Sequence, residues 1–146
     1  MRITSLGLAL SLAACASTTG SPPDSSSART IALALLDGAA RAWNRGDLDA
    51  FVEDYVDSPR TTFISRQGVL HGRAAIRERY VPRFAPGVRD SLSFDGVEAD
   101  ILGRDIIHVV AWYTLMRGDS VVSRAPTSVV LIRNGPRWSI LKDHTS

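Results

Sequence analysis

The chain's candidates for chemistry are three histidines, one cysteine and the pair Asp143-His144 near its C-terminal end. Adjacent residues on a strand point to opposite faces, so Asp143 and His144 cannot couple directly. Regular alternation puts Trp138, Ile140, Lys142 and His144 on one face and Ser139, Leu141, Asp143 and Thr145 on the other. With Trp138 and Ile140 turned inward, His144 becomes a general base or ligand contact, and a structural hydrogen bond would use it equally well. His108 alternates with Val110, Trp112, Thr114 and Met116, and both faces of that run are apolar enough to be covered. His108 is therefore a pocket or interface residue. His144 and His108 are the candidate catalytic residues, each needing a carboxylate such as Asp54 or Asp143 within reach. His71, His108 and His144 lie on separate segments without metal-ligand spacing, so no metal site is expected. No nucleophile elbow, phosphate loop or dinucleotide fingerprint occurs, and no cofactor is expected.

Tyr55, Phe63, Tyr80, Trp112 and Trp138 are the candidate pocket residues, with Phe84 beside them. Aromatics at these spacings line an apolar ligand site or fill a core. Arg124, inside a strand, is a candidate cation for an acidic ligand, whereas Arg66 belongs in a solvated turn.

Cys15 is the only cysteine and follows Leu12-Ala13-Ala14 at the end of a short apolar run that starts after Arg2. The pattern resembles the lipobox of a bacterial lipoprotein, with 1–14 as signal peptide. That resemblance implies an acylated Cys15 as mature N-terminus, held in the bilayer by about 0.8 kcal/mol per buried methylene. It also implies a cell-envelope location. Ala16 after the cysteine favours the outer membrane, facing the periplasm, in a Gram-negative cell. Residues 15–28 then form a polar tether with nothing to bury, expected to stay disordered. Residues 29–146 form one domain, long enough for a core. Without Arg2 the chain carries sixteen basic and fifteen acidic residues, interleaved, which excludes a nucleic-acid partner.

Ile31, Leu35, Ala39 and Trp43 recur at helical spacing over 29–45, and Gly46 stops that helix. Asp47 caps a second helix carrying Leu48, Phe51, Val52 and Tyr55. Two short strands flank the turn Arg66-Gln67-Gly68. Ile76, Tyr80 and Phe84 mark a third helix over 73–84, which Pro82 and Pro86 end. Four longer strands follow, the last two joined at Asn134-Gly135. Pro126 suggests a bulge or an edge position. The order is α-α-β-β-α-β-β-β-β, an α+β fold with helices on one face of a curved, mostly antiparallel sheet.

This order, with Trp43-Asn44-Arg45-Gly46-Asp47, Leu70-His71-Gly72-Arg73 and the strand from Trp138 to Ser146, resembles the nuclear transport factor 2 (NTF2)-like superfamily, in its SnoaL-like or DUF4440 branch. The resemblance covers the whole domain. It implies a cone with an apolar pocket between sheet and helices, and a homodimer through the sheet. It does not fix an activity. Ketosteroid isomerase chemistry needs a tyrosine, a carboxylate base and a protonated aspartic acid. Alignment on the landmarks puts Ala39, the stretch Ile64-Ser65-Arg66, and Thr127-Ser128 at those positions, so that chemistry is disfavoured. The leading expectation is a membrane-anchored domain binding a small apolar or aromatic molecule. The alternatives are a cofactor-independent acid–base enzyme, of isomerase, hydrolase or cyclase type, and a dimeric envelope assembly module.

Overall fold

The computed structural model describes residues 23–87 and 89–146. The expected signal peptide, Cys15 and the tether as far as residue 22 lie outside the described residues. The end of the expected tether proves to be helix: α1 (Ser25–Arg45) starts four residues before the predicted domain boundary. Asp24 is its N-cap. The Asp24 carboxylate accepts from the Ser27 N–H at 2.8 Å, and the Ser27 hydroxyl accepts from the Asp24 N–H at 2.8 Å. This reciprocal box satisfies two otherwise orphaned donors, and hydrogen bonds from the Ser27 hydroxyl, the Ser27 N–H and the Ser26 hydroxyl pull the Asp24 carboxyl down to about 2. Ala28, assigned to the tether by composition, is fully buried.

Gly46 ends α1 in the left-handed region at φ 76°. A Cβ there would sit 2.7 Å from Arg89 Nη1, the far end of a flexible side chain that can give way, so it is the left-handed conformation that demands glycine. Asp47 then accepts from the Ala50 N–H and caps α2 (Leu48–Glu53). β1 (Thr62–Ser65) and β2 (Gly68–His71) form a hairpin leading to α3 (Arg73–Phe84). β3 (Ser91–Gly103), β4 (Ile106–Arg117), β5 (Ser120–Asn134) and β6 (Arg137–Thr145) complete the chain. The order in the sheet is β2-β1-β6-β5-β4-β3, antiparallel except for β1 beside β6. The predicted element order and the helices-on-sheet architecture are both observed.

Two prolines act differently from expectation. Pro82 lies in the last turn of α3, and the helix runs on to Phe84 before Ala85 turns extended. Pro126 lies in an interior strand with no register shift beside it. Its carbonyl accepts from the Ser146 N–H, so its missing N–H lies on the β6 side opposite Ser146, whose carbonyl accepts from the Tyr113 hydroxyl instead.

The sheet curves over α1 through four register shifts, two between β3 and β4, one between β4 and β5 and one between β5 and β6. In β3 Gly96 (φ 60°) and Val97 together face Ala111, which returns Val97 to the core side below Leu92 and Phe94. Between β5 and β6 Val130 pairs with Lys142 and Leu131 with Ile140, leaving Leu141 unpaired. That extra residue decides which side chains of β6 face inward. Ile107, Val109, Ala111, Val129, Leu131 and Ile140 form the sheet side of the core, and Ala32, Leu35, Leu36, Ala39 and Trp43 the α1 side.

Candidate functional site

The concave side of the sheet and the helices enclose a cavity of about 720 Å³. This is within the range of small-molecule sites. α1 supplies Leu35, Leu36, Ala39 and Trp43, and α2 supplies Phe51. Phe63, Tyr80, Phe94, Leu115 and Ile140 close the wall. Rings of this wall pack edge-on: Phe51 and Tyr80 are 4.9 Å apart, Trp43 and Phe51 5.6 Å, Phe63 and Tyr80 5.7 Å. Such pairs add about 0.5–1.5 kcal/mol each beyond area burial, so the wall is stiff. Trp43 is fixed further by its indole N–H, which donates to the Asp90 carbonyl at 2.7 Å.

One polar constellation interrupts this lining. Asp143, buried on β6, accepts from the Tyr55 hydroxyl at 2.5 Å. Thr145 Oγ1 donates to its other oxygen at 3.1 Å, with Thr127 Oγ1 at 3.5 Å. All four residues line the cavity. Tyr55 comes from just past α2, and the bridge pairing it with Ile140 ties that turn to β6. Burial pushes the Asp143 carboxyl above the usual carboxylate range, and the bonds from Tyr55, Thr145 and Thr127 offset that only in part. Burial likewise raises the Tyr55 phenol well above its ordinary value, with Asp143 adding to the shift, and the Tyr80 phenol rises for the same two reasons. The arrangement offers a carboxyl that can hold or release a proton inside an apolar chamber, backed by a phenol that stays protonated.

The predicted site residues divide between the two faces of the sheet. Tyr55, Phe63 and Tyr80 line the cavity. Trp112 does not: it stands on the outer face, 43% exposed, with the Arg124 guanidinium 5.3 Å from its ring centre. Trp138 does not either. It packs against the core at the far end of β6, opposite Arg133, whose guanidinium is 4.8 Å from its ring. His108 is on the outer face and shares a 2.8 Å hydrogen bond with Ser128. His144 is exposed on that same face, across from Ser128. The expectation that His144 follows Trp138 and Ile140 inward is overturned by the Leu141 bulge, which exchanges the faces of Asp143 and His144. Neither histidine meets the cavity. Asp54 lies outside it as well, bonded to Arg137 at 3.4 Å. Arg124 is held by Asp95 at 2.5 Å and 2.7 Å, so it is not a free cation. Ala39, Ser65 and Thr127, at the three aligned isomerase positions, do line the cavity and carry no carboxylate. A tyrosine–aspartate pair from other positions, Tyr55 and Asp143, lines the cavity. Among the described residues no group of three or more His, Cys, Asp or Glu side chains could hold a metal ion.

A SnoaL-like domain family matches residues 32–146. No curated protein matches the chain. Among solved structures, the chain is similar to an NTF2-like protein of unknown function from Shewanella oneidensis MR-1, at 26% identity over 78% of this chain and 94% of that one, with a TM-score of 0.68. It also resembles an NTF2-like protein of unknown function from Pseudomonas putida KT2440, at 15% identity over 84% and 87% of the two chains, with a TM-score of 0.71. A third likeness is to a candidate aromatic ring hydroxylase from Novosphingobium aromaticivorans, at 16% identity over 82% and 87%, with a TM-score of 0.69. At those identities the last two likenesses concern the fold alone.

The Asp143 shift has a thermodynamic consequence. A carboxyl whose folded value lies above the ordinary 3.8 binds its proton more tightly when folded. The stability it contributes is complete below about pH 4 and is lost as pH rises through the folded value. Asp143→Asn stays neutral throughout, so wild-type stability relative to this variant is expected to fall as pH rises above about 4. Urea unfolding across that span measures it, and a constant difference contradicts the assignment. Tyr55→Phe, which removes the larger of the bonds holding the value down, moves the Asp143 titration higher by carboxyl-carbon NMR.

Proposed function

The chain belongs to the SnoaL-like domain family of the NTF2-like superfamily, and from that premise we propose that it binds a small apolar or aromatic molecule in its cavity. The observation that carries this reading is an aromatic-lined chamber of about 720 Å³ with one buried polar pair at its floor. Stiff aromatic walls supply affinity by burial, and a single polar point fixes orientation. The uncharged dye phenylnaphthylamine tests it. Its fluorescence should rise on addition to the full chain, and Ala39→Phe, which fills the cavity from α1, should weaken binding at least about tenfold, equivalent to about 1.4 kcal/mol. Equal binding by a variant with an unaltered melting curve would contradict the reading.

A specific observation favours a second reading, cofactor-independent acid–base catalysis in the same chamber. Asp143 is a carboxyl of raised affinity for its proton, facing the cavity with Tyr55 bonded to it. A ligand seated against it could exchange a proton with it. On this reading Asp143 takes the acid–base role and Tyr55 positions it, while His144 and His108 take none.

We also propose that a second copy covers the outer face of the sheet. Ile106 (39% exposed) and Trp112 stand proud there, and the half-buried Val110, Val130 and Ile132 lie between them. Sedimentation velocity should give a dimer for the chain and a monomer for Trp112→Arg; a wild-type monomer would defeat this arrangement.

From the position of Cys15 we infer that the domain is lipid-anchored at the cell envelope, on the periplasmic side of the outer membrane in a Gram-negative cell. The full chain should pellet with membranes and Cys15→Ser should leave them. Unchanged membrane association of the variant would exclude acylation as the anchor.

A further inference from the structure

The charges around the cavity are sorted in a way that the apolar lining does not require. α3 carries Arg73, Arg77, Arg79 and Arg83. Arg73 pairs with Asp57 at 2.8 Å and Arg77 with Asp49 at 2.9 Å, both toward the α2 side and away from the cavity. Arg79 and Arg83 stand one turn apart and line the cavity. Like charges at this spacing repel on a helix, yet among the described residues neither forms an ion pair with a carboxylate. Arg66, in the turn between β1 and β2, lines the same cavity and is likewise without an ion pair among the described residues. The Gln67 side chain holds Arg79 Nη2 at 3.2 Å and is itself held by the Ser65 hydroxyl at 3.0 Å, so the turn and α3 are joined at this place.

The other charged groups of the cavity lining are accounted for. Arg124 is neutralised by Asp95, and Asp90 by Arg117. Asp143 lies at the floor with its hydrogen bonds to Tyr55 and the threonines. What is left, among the described residues, is three guanidinium groups of the cavity lining without a carboxylate partner, Arg66 and Arg83 exposed and Arg79 half-buried. Low-dielectric walls focus such a field outward and attract anions. A guanidinium presents a planar fork of donors that fits an oxyanion bidentately.

We propose that the natural ligand is an amphipathic organic anion: its aromatic or aliphatic body enters the cavity and its oxyanion head is held at the mouth by Arg66, Arg79 and Arg83. This rests on the binding reading above and names its ligand class. Carboxylate, sulfonate and phosphate heads share the required chemistry. Arg66 and Arg83 are exposed and Arg79 half-buried, so the head remains at the water boundary while the body is desolvated. The mouth then sets polarity of entry, body first, which brings the far end of the body toward Tyr55 and Asp143.

Two dyes with one body separate the inference from the reading it rests on. Anilinonaphthalene sulfonate and the uncharged phenylnaphthylamine are titrated into the full chain carrying Cys15→Ser. The sulfonate should bind about tenfold more tightly. In the triple variant Arg66→Gln, Arg79→Gln, Arg83→Gln the ratio of the two affinities should fall towards one. Should the triple variant fail to fold, Arg66→Gln alone, in an exposed turn, should lower the ratio about threefold. Competition by naphthoate and by naphthyl phosphate distinguishes the heads, and displacement by either beyond that given by naphthalene supports the proposal. A wild-type ratio near one, or a ratio that the arginine variants leave unchanged, overturns the arginine mouth while the pocket reading stands. Failure of both dyes to bind overturns the pocket reading and this inference with it.

Discussion

A carboxyl group at the floor of an apolar chamber must be protonated, hydrogen-bonded, or both, because an isolated buried charge is costly beyond anything packing returns. Asp143 meets that condition through Tyr55, Thr145 and Thr127. These partners come from three places in the chain: the turn after α2, the end of β6 and the middle of β5. Their convergence constrains the register of β5 against β6 and the seat of α2 on the sheet at once. The Leu141 bulge is the device that makes it possible. Without the extra residue, Asp143 would point to the outer face and His144 into the apolar chamber.

That device explains what could and could not be seen in the sequence. Boundaries marked by backbone chemistry were legible: Gly46-Asp47 at the helix corner, Gly72 before α3, Asn134-Gly135 at the last hairpin. The helical spacing of Leu35, Ala39 and Trp43 and the β-branched runs of β4 and β5 were equally plain, which is why the element order could be read. The bulge had no such mark. Leu141 is an ordinary strand residue between Ile140 and Lys142, so strict alternation was the natural assumption, and it reversed the faces of Asp143 and His144. Trp112 was misplaced for another reason. Both faces of β4 are apolar, and composition cannot say which faces the helices. The start of α1 was hidden by a serine tract, although Asp24 followed three residues later by Ser27 carried a capping signal.

Charge completes the picture. The near-neutral total conceals a local ordering: seven of the fifteen described arginines are tied to carboxylates, and Arg66, Arg79 and Arg83 of the cavity lining are among the eight that are not. Exposed pairs of this kind contribute little to stability, typically up to about 1 kcal/mol each. Their arrangement therefore bears more on what approaches the cavity than on holding the fold. An apolar chamber, a proton-holding floor and a cationic rim form one gradient from water to core, which suits a ligand with the same polarity along its length.

The most direct test of this account is to locate a bound aromatic molecule by NMR. Phenylnaphthylamine added to isotopically labelled protein should shift the side-chain resonances of Trp43, Phe63 and Tyr80 together with the Asp143 carboxyl. Trp112, Trp138 and His108 should stay unmoved. Shifts gathered on the outer face around Trp112 and Ile106, or none at saturating dye, would contradict the claim that the cavity is where this protein acts.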